Sequence, residues 1–299
     1  MLKLDFVVNP NARRVRAARL VRALRRRFAG GRASFYQDPA ELPEDPDDER
    51  VVVAVGGDGT VNRVLNSLQC AGRRMAVLPL GTSNDLATNL EIPTKIDQAC
   101  DLLENGDYQT IDLIQVNGRR IATCGGIGFG VDVAARANAW RTSCLRPLVR
   151  ALGAYVYPVA AAHELIGSRR VIVATLTVAG RSEEVPLSIA MVSNQPRFGT
   201  RFSTSPRARN DDGLLDLGIF GPARGRLDMA RVVAQVYRAR PERCRSVRQV
   251  RSESFTLSTD LPVPFLGDGE VLCVSERFEV RVEPRALRIA SPARAGGVR

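Results

Sequence analysis

Two short glycine-rich segments, Gly56-Gly57-Asp58-Gly59-Thr60 and Leu80-Gly81-Thr82-Ser83-Asn84-Asp85, contain the residue types from which a phosphate site is built. Glycines let a backbone approach a ligand closely. Free N–H groups at the start of a helix, with the helix dipole behind them, attract an anion. The first segment matches neither G-x-x-x-x-G-K-[ST], for want of a lysine, nor G-x-G-x-x-G. Alone, it reads first as a phosphate cradle and second as a tight strand-to-helix turn capped by Asp58 or Thr60. Two such loops at the C-terminal ends of adjacent strands would face one crevice. Asp58, Asp85 and Asp112, the last at the expected start of a further strand, make a carboxylate set suited to a hydrated Mg²⁺ beside nucleotide phosphates. Each carboxylate alone reads as a helix cap or surface acid, and the combination is the signal.

Asp268, between Gly267 and Gly269, stands where a substrate can approach it, although by itself it reads as an aspartate in a Gly-flanked turn. His163 is the only histidine, which excludes two-histidine metal sites and argues against a Ser-His-Asp hydrolase. Its setting, Ala-Ala-His-Glu-Leu, reads as a partly buried helix position. Trp140, beside Arg141, reads equally as an interfacial anchor or a packed core residue.

The elements that must position these groups follow from periodicity. Leu4 to Val8 reads as a short buried strand closed by Asn9-Pro10-Asn11. Ala17, Leu20, Val21, Leu24 and Phe28 then form the apolar face of a helix whose other faces carry arginines from Arg13 to Arg27, and Gly30-Gly31 ends it. That arginine cluster reads equally as a solvated face or as an attractor of anionic headgroups. Val51 to Val55 is a continuous β-branched run, the pattern of a strand buried on both faces. A helix from Val61 to Leu68, a strand from Met75 to Leu78 and a further helix after Asp85 complete an open α/β sheet. Beyond Asn117-Gly118 the pattern changes to short alternating segments: Val171–Val178, Glu184–Ser193, Leu214–Phe220, Ser254–Thr259, Glu270–Val274 and Phe278–Val282. These predict an antiparallel sandwich or barrel, with one helical insert from Arg146 to Ile166.

The chain has 299 residues, 44% apolar and 25% charged, the balance of a folded globular protein rather than a disordered one. Its formal charge is +11, and Lys3 and Lys95 are its only lysines. Such a field draws a protein towards nucleic acid, anionic membrane or phosphorylated ligands. Nucleic acid is disfavoured because aromatics are not interleaved at RNA-module spacing. Six scattered cysteines without a CxxC pair, and no secretory h-region, predict reduced thiols and a cytoplasmic protein. The longest apolar stretch, Leu148 to Ile166, carries Arg150, Pro158, His163 and Glu164 and does not suit a transmembrane helix, so membrane contact is expected to be peripheral.

Taken in order, Asn9-Pro10, Gly56 to Thr60, Leu80 to Asp85, Gly125-Gly126-Ile127-Gly128-Phe129-Gly130-Val131-Asp132, Asp212 to Asp216 and Asp268-Gly269-Glu270 resemble the diacylglycerol kinase catalytic-domain family, which is similar to sphingosine and ceramide kinases too. The resemblance covers nearly the whole chain. It implies an α/β nucleotide-binding domain over 1–118, a β-rich lipid-binding domain over 119–288 with ATP between the two, and a tail, 289–299, returning to the first. It implies that Asn9, Gly56, Gly57, Asp58, Gly59, Thr60, Gly81, Thr82, Asn84, Asp85 and Asp112 serve the nucleotide. Asp58 is also expected in catalysis, with Asp268 as general base and Glu270 beside it. Asp212, with the backbone carbonyls of Arg209 and Leu214, matches a structural Mg²⁺ site.

The activity so implied is an ATP- and Mg²⁺-dependent lipid kinase, acting on a diacylglycerol-like, phosphatidylglycerol-like or sphingoid hydroxyl at the inner face of an anionic membrane. A homodimer is left open, and no nucleic acid is expected as partner. Three features depart from the family pattern: Asn62-Arg63 stands where Asn-Glu is usual, Gly199-Thr200-Arg201 where three glycines are, and Asn9-Pro10-Asn11-Ala12-Arg13 where the turn Asn-Pro-x-Ser/Gly-Gly is. A NAD kinase-like phosphotransferase with a soluble acceptor, or a lapsed family member that only binds lipid or nucleotide, remain as alternatives.

Overall fold

Leu4 to Val8 forms a strand (β1) in the computed structural model, and all five of its residues are buried. The structure describes residues 3–9, 14–30, 33–43, 50–67, 74–81, 83–165, 171–199 and 201–292. Pro10 to Arg13, Gly31, Leu68, Cys70, Thr82, Ile166, Thr200 and the tail from 293 lie outside it. The chain divides into two compact units, residues 1–111 with 285–299, and residues 112–284.

In the first unit, β1 is followed by α1 (Arg14–Arg27), β2 (Ala33–Tyr36), β3 (Val51–Gly56), α2 (Asp58–Ser67), β4 (Arg74–Pro79), α3 (Asp85–Asn89) and α4 (Ile96–Asn105). The strands are parallel in the order β2, β1, β3, β4, and Arg288–Ile289 from the end of the chain pairs with β4 on the outer side. Burial of all six residues of β3 explains its unbroken β-branched run. Leu20, Val21 and Leu24 of α1, and Phe28 just past its end, pack on the sheet with Ala99, Cys100 and Leu103 of α4. Arg27 closes that layer with ion pairs to Asp101 and Glu104, both at 2.6 Å. The one charge inside β1, Asp5, is fully buried and receives Nε and Nη2 of Arg50 at 2.6 and 2.5 Å. Without that fork it would be a costly buried charge.

The second unit is antiparallel. β5 (Asp107–Val116) brings the chain into it, and β6 (Arg119–Ile121), β7 (Cys124–Gly128), α5 (Phe129–Thr142), α6 (Arg146–Leu152), α7 (Val156–Glu164), β8 (Ile172–Val178), β9 (Arg181–Leu187), β10 (Ile189–Ser193), β11 (Leu215–Phe220), α8 (Arg226–Tyr237), β12 (Val247–Ser252), β13 (Ser254–Gly267) and β14 (Glu270–Ser291) follow. Strand β7 lies between β10 and β13, with β11 and β12 beyond β10 and the β8–β9 hairpin on β13. Ile114, Ile127, Leu176, Leu217, Phe265 and Phe278 contribute to its core.

Three expected segments are drawn differently by the structure. Glu184–Ser193 is two strands, broken at Ser188, whose N–H donates to Phe220 and whose carbonyl caps Phe129. Glu270–Val274 and Phe278–Val282 are one strand, β14, because pairing with β13 resumes across an irregularity at residues 258–263. The helical insert is two helices joined by a 3₁₀ turn, since Gly153 adopts a left-handed φ of +55°. Helices α5 and α8 carry little amphipathic signal and were not expected.

Candidate functional site

The two glycine-rich loops meet within the first unit. A Cβ on Gly57 would lie 2.8 Å from the Cα of Gly81, and a Cβ on Gly81 only 2.5 Å from the Cα of Gly57, so only glycine fits at either place. The Leu80 N–H donates to Gly56 O at 2.8 Å. Asn84, with a left-handed φ of +49°, clasps Gly81 by accepting its N–H at 2.8 Å and donating to its carbonyl at 3.0 Å. The Asp58 carboxylate accepts the N–H groups of Asn84 at 3.0 Å and Asp85 at 2.6 Å. Asn9 Nδ2 donates to the buried Thr60 hydroxyl at 3.2 Å, tying the end of β1 to α2. Asn9, Gly56 to Thr60, Gly81, Asn84 and Asp85 are thus brought together, while Thr82 lies outside the described residues. The Ser83 hydroxyl, buried in the same loop, has no hydrogen-bond partner among the described residues. Arg63 turns to Asp38, 3.3 Å away, and both side chains are exposed.

Asp268 heads the β13–β14 turn in the second unit, with a left-handed φ of +48° and 8% exposure. Its carboxylate accepts three donors: the N–H of Ala122 at 2.9 Å, the N–H of Thr123 at 2.9 Å and the Thr123 hydroxyl at 2.5 Å. Its own N–H donates to Cys124 O, and Asn138 of α5 holds the next carbonyl, Gly269, at 2.9 Å. The side chain expected to lie open between two glycines is therefore largely buried and fixed in orientation. Glu270, at the start of β14, is exposed.

Asp112 stands inside β5 rather than at its start, and it is buried. Its carboxylate accepts the Gly213 N–H at 2.8 Å, its N–H donates to Asn210 O, and its carbonyl accepts Asn194 Nδ2 at 2.6 Å. It organises the 210–213 turn of the second unit, whereas Asp58 and Asp85 belong to the first. Among the described residues no group of three or more histidine, cysteine or acidic side chains is arranged to hold a metal. At Asp212, expected to hold a cation with the backbone carbonyls of Arg209 and Leu214, an arginine stands beside the carboxylate. One oxygen of that carboxylate accepts the Leu214 N–H at 3.1 Å, the other meets the Arg251 guanidinium, and the Arg209 side chain is turned to Asp211. Arg251 also lies 3.3 Å from Asp216, which is 5% exposed and whose Oδ2 has no hydrogen-bond partner among the described residues. Burial pushes the Asp216 carboxyl up, with Asp212 adding to the rise and Arg251 opposing it.

Ala122, Thr123, Asn138 and Arg251 were missed by sequence reasoning. Ala122 and Thr123 act on Asp268, and Asn138 on the Gly269 carbonyl, across more than a hundred residues, which no local spacing reveals. Arg251 faces Asp216 in the β11–β12 register, and charge alternation along β12 is its only trace in the sequence.

Residues 3–116 match the family model of the diacylglycerol kinase catalytic domain, and residues 121–291 that of the YegS C-terminal NAD kinase β-sandwich-like domain. The chain is 30% identical over 251 residues to lipid kinase YegS of Escherichia coli K12, covering 81% of this chain and 78% of that protein. It is 24% identical over 258 residues to the uncharacterised protein sll0036 of Synechocystis, and spans 57% of that relative's length. A crystal structure of a diacylglycerol kinase from Bacillus anthracis superposes with a TM-score of 0.73 at 19% identity, over 97% of this chain and 96% of that one, a likeness of fold.

Proposed function

The chain belongs to the diacylglycerol kinase catalytic-domain family, and we propose that it is an ATP-dependent lipid kinase that transfers the γ-phosphate to a lipid hydroxyl. The observation that carries this reading is the interlock of Gly57 and Gly81, which leaves a side-chain-free backbone surface beside the start of α2. Such a surface suits a polyphosphate, with N–H groups and the helix dipole offsetting its charge. The Ser83 hydroxyl in the same loop, with no partner among the described residues, supports it. Phosphoryl transfer asks little covalent chemistry of a protein beyond positioning, charge neutralisation and a group that takes the proton of the attacking hydroxyl.

We assign the nucleotide to Asn9, Gly56 to Thr60, Gly81, Asn84 and Asp85, and proton acceptance to Asp268, with Glu270 on the strand that follows. Asp58 acts by holding the second loop on the first. The donors from Ala122 and Thr123 fix the plane of the Asp268 carboxylate, so its reach does not depend on side-chain rotation. Mg²⁺ enters as part of the nucleotide substrate, since the carboxylate of Asp58 is already engaged by two N–H groups.

The test is transfer of labelled γ-phosphate from ATP to vesicles carrying diacylglycerol, phosphatidylglycerol or a sphingoid base, with Asp268→Asn as control. A labelled lipid that is lost in the variant supports the reading, and no labelled lipid from any vesicle overturns it. The NAD kinase-like character of the second domain's family model favours one other acceptor class. Labelled NAD from the same assay, with no labelled lipid, replaces the lipid by a soluble dinucleotide.

A further inference from the structure

Gly199-Thr200-Arg201, one of the departures from the family pattern, lies between two aromatic residues that hold it in place. Phe198 and Phe202 exchange paired backbone hydrogen bonds at 2.9 and 3.0 Å, and their rings stack with centroids 5.8 Å apart. Phe202 is buried and meets the Tyr237 ring of α8 edge-on at 5.3 Å, and the N–H of the next residue, Ser203, donates to Val236 O. The loop is thus clamped at its base. Arg201 emerges from it exposed, its side chain without a hydrogen bond or ion pair among the described residues. One side chain joins this loop to the turn of Asp268. A Cβ on buried Gly199, which has a left-handed φ of +52°, would lie 3.8 Å from the Tyr157 ring, and a Cβ on Gly269 would lie 3.9 Å from the Tyr157 hydroxyl. The ring of Tyr157, in the first turn of α7, therefore stands between Gly199 and the residue next to Asp268. Two residues on from Gly199, the long side chain of Arg201 brings a permanent positive charge to the neighbourhood of that turn.

We propose that Arg201 holds a phosphate group beside the acceptor hydroxyl at Asp268. The inference rests on the lipid-kinase reading with Asp268 as proton acceptor, and deepens it by naming a cationic residue on the acceptor side. The turn itself is acidic, with the Asp268 carboxylate and, two residues on, the exposed Glu270. When the hydroxyl oxygen bonds to the γ-phosphorus, its proton passes to Asp268 and ADP leaves with the electron pair of the broken P–O bond. The phosphate then stands on the acceptor oxygen next to these acids, and a cation there offsets their repulsion. Arginine suits the task, because its planar fork meets two phosphate oxygens at once and its charge is permanent. The clamp of Phe198 and Phe202 fixes the backbone that carries it, so less freedom is lost when the phosphate arrives. A phosphate at this place has two sources, the group being transferred and the headgroup phosphate of a phosphatidylglycerol-like acceptor, whose hydroxyls are a few bonds away. Recognition by the guanidinium is the same for both.

The experiment uses the full chain with saturating ADP, so that the nucleotide loops are filled, and titrates glycerol 3-phosphate into wild type, Arg201→Gly and Arg201→Lys by calorimetry. Thermal unfolding checks that the exposed position tolerates each change. Wild type is expected to bind, Arg201→Gly to bind about tenfold more weakly, and Arg201→Lys to fall in between because it keeps the charge and loses the fork. Equal binding by wild type and Arg201→Gly overturns the inference, as does wild type that binds no glycerol 3-phosphate. Turnover at saturating ATP then separates the two sources, with short-chain diacylglycerol and short-chain phosphatidylglycerol each dispersed in neutral detergent. A lower kcat on both acceptors in Arg201→Gly assigns the site to the transferred group, and a higher KM for phosphatidylglycerol alone assigns it to the headgroup. Unchanged kcat and KM on both acceptors overturn the inference. A protein that phosphorylates neither acceptor, while Arg201→Gly still weakens glycerol 3-phosphate binding, keeps the phosphate site and removes the kinase reading instead.

Discussion

The Asp58 carboxylate accepts the backbone N–H of Asp85 at 2.6 Å, so the residue that opens α2 also holds the first turn of α3. One side chain thereby sets the distance between two loops that lie 27 positions apart in the chain. Asp58→Asn keeps the size of the group but loses its charge and replaces one acceptor by a donor facing an N–H. Each hydrogen bond to a charged group contributes about 1.5–3 kcal/mol. The variant is therefore expected to lose about 2 kcal/mol of stability to denaturant and more than about tenfold in nucleotide affinity by calorimetric titration. Full nucleotide affinity in a destabilised variant would show that the two loops do not form the nucleotide site.

The contact between Gly57 and Gly81 gives a sharper contrast. Gly81→Ala places a methyl 2.5 Å from backbone, where no rotamer relieves the overlap. Overpacking of this kind costs about 1–3 kcal/mol, and the loops must separate to accept it. Gly30→Ala meets nothing within 4 Å and is expected to leave stability and nucleotide binding alone. Thermal unfolding and nucleotide titration of the two variants side by side decide the matter. If Gly81→Ala behaves as Gly30→Ala does, the close approach has no role.

How far the sequence reveals this molecule depends on the range of the interactions. The parallel sheet of the first unit is legible because β3, and β4 from Met75, are buried and write their burial as apolar runs, as β1 does apart from Asp5. The two glycine loops are legible because their residue types are local. The surroundings of Asp268 are not, since its donors Ala122 and Thr123 arrive from a strand pairing that joins distant segments. Asp112 shows the same limit: Thr110-Ile111-Asp112 looks like the opening of a strand, yet burial begins at Ile111 and the carboxylate is consumed by the turn at Gly213. Strands β9 and β10 are separated only by Ser188, whose role as a cap for α5 and a partner of β11 comes from the tertiary fold.

Asp268→Asn and Thr123→Val separate catalysis from architecture at the β13–β14 turn. Asparagine tolerates the left-handed φ that position 268 requires, but it cannot take a proton. Loss of a general base lowers turnover by about 10²–10⁴-fold, and that is the expectation for Asp268→Asn with KM for ATP little changed. Thr123→Val removes one of the three donors and leaves the carboxylate in place, so a loss of about tenfold or less in kcat is expected. Equal losses in the two variants would mean that Asp268 serves the fold of the turn and not the reaction.

Asp216 gives the protein a stability term that runs against the usual acid behaviour. Burial, aided by Asp212, raises its carboxyl above the ordinary carboxylate range. A raised folded-state value means that the native protein holds this proton where the unfolded chain has released it. The stabilising contribution is complete below about pH 4, the unfolded value, and is lost as pH rises through the folded value. Asp216→Asn is expected to be more stable than wild type at neutral pH, with the advantage shrinking towards pH 4. Denaturant midpoints measured from pH 4 to pH 8 read the crossover. A variant equally destabilised at every pH would show that Arg251 holds the ionised carboxylate at a net gain.

Divalent cations are expected to add nothing to the stability of the Asp212 turn. The Arg251 guanidinium stands at Asp212 and reaches Asp216, supplying there the positive charge that a bound ion would supply. A cation entering the same place would have to displace a planar, permanently charged group and leave it next to a new positive charge. Treatment with a chelator should leave the thermal midpoint of the nucleotide-free protein unchanged, and elemental analysis should find less than one bound Mg²⁺ per chain. In Arg251→Met the two carboxylates lose their counter-charge, and Mg²⁺ should then raise the midpoint by several degrees in a concentration-dependent way. One Mg²⁺ per wild-type chain, lost in Asp212→Asn, would reverse the assignment and make the arginine a neighbour of the ion rather than its replacement.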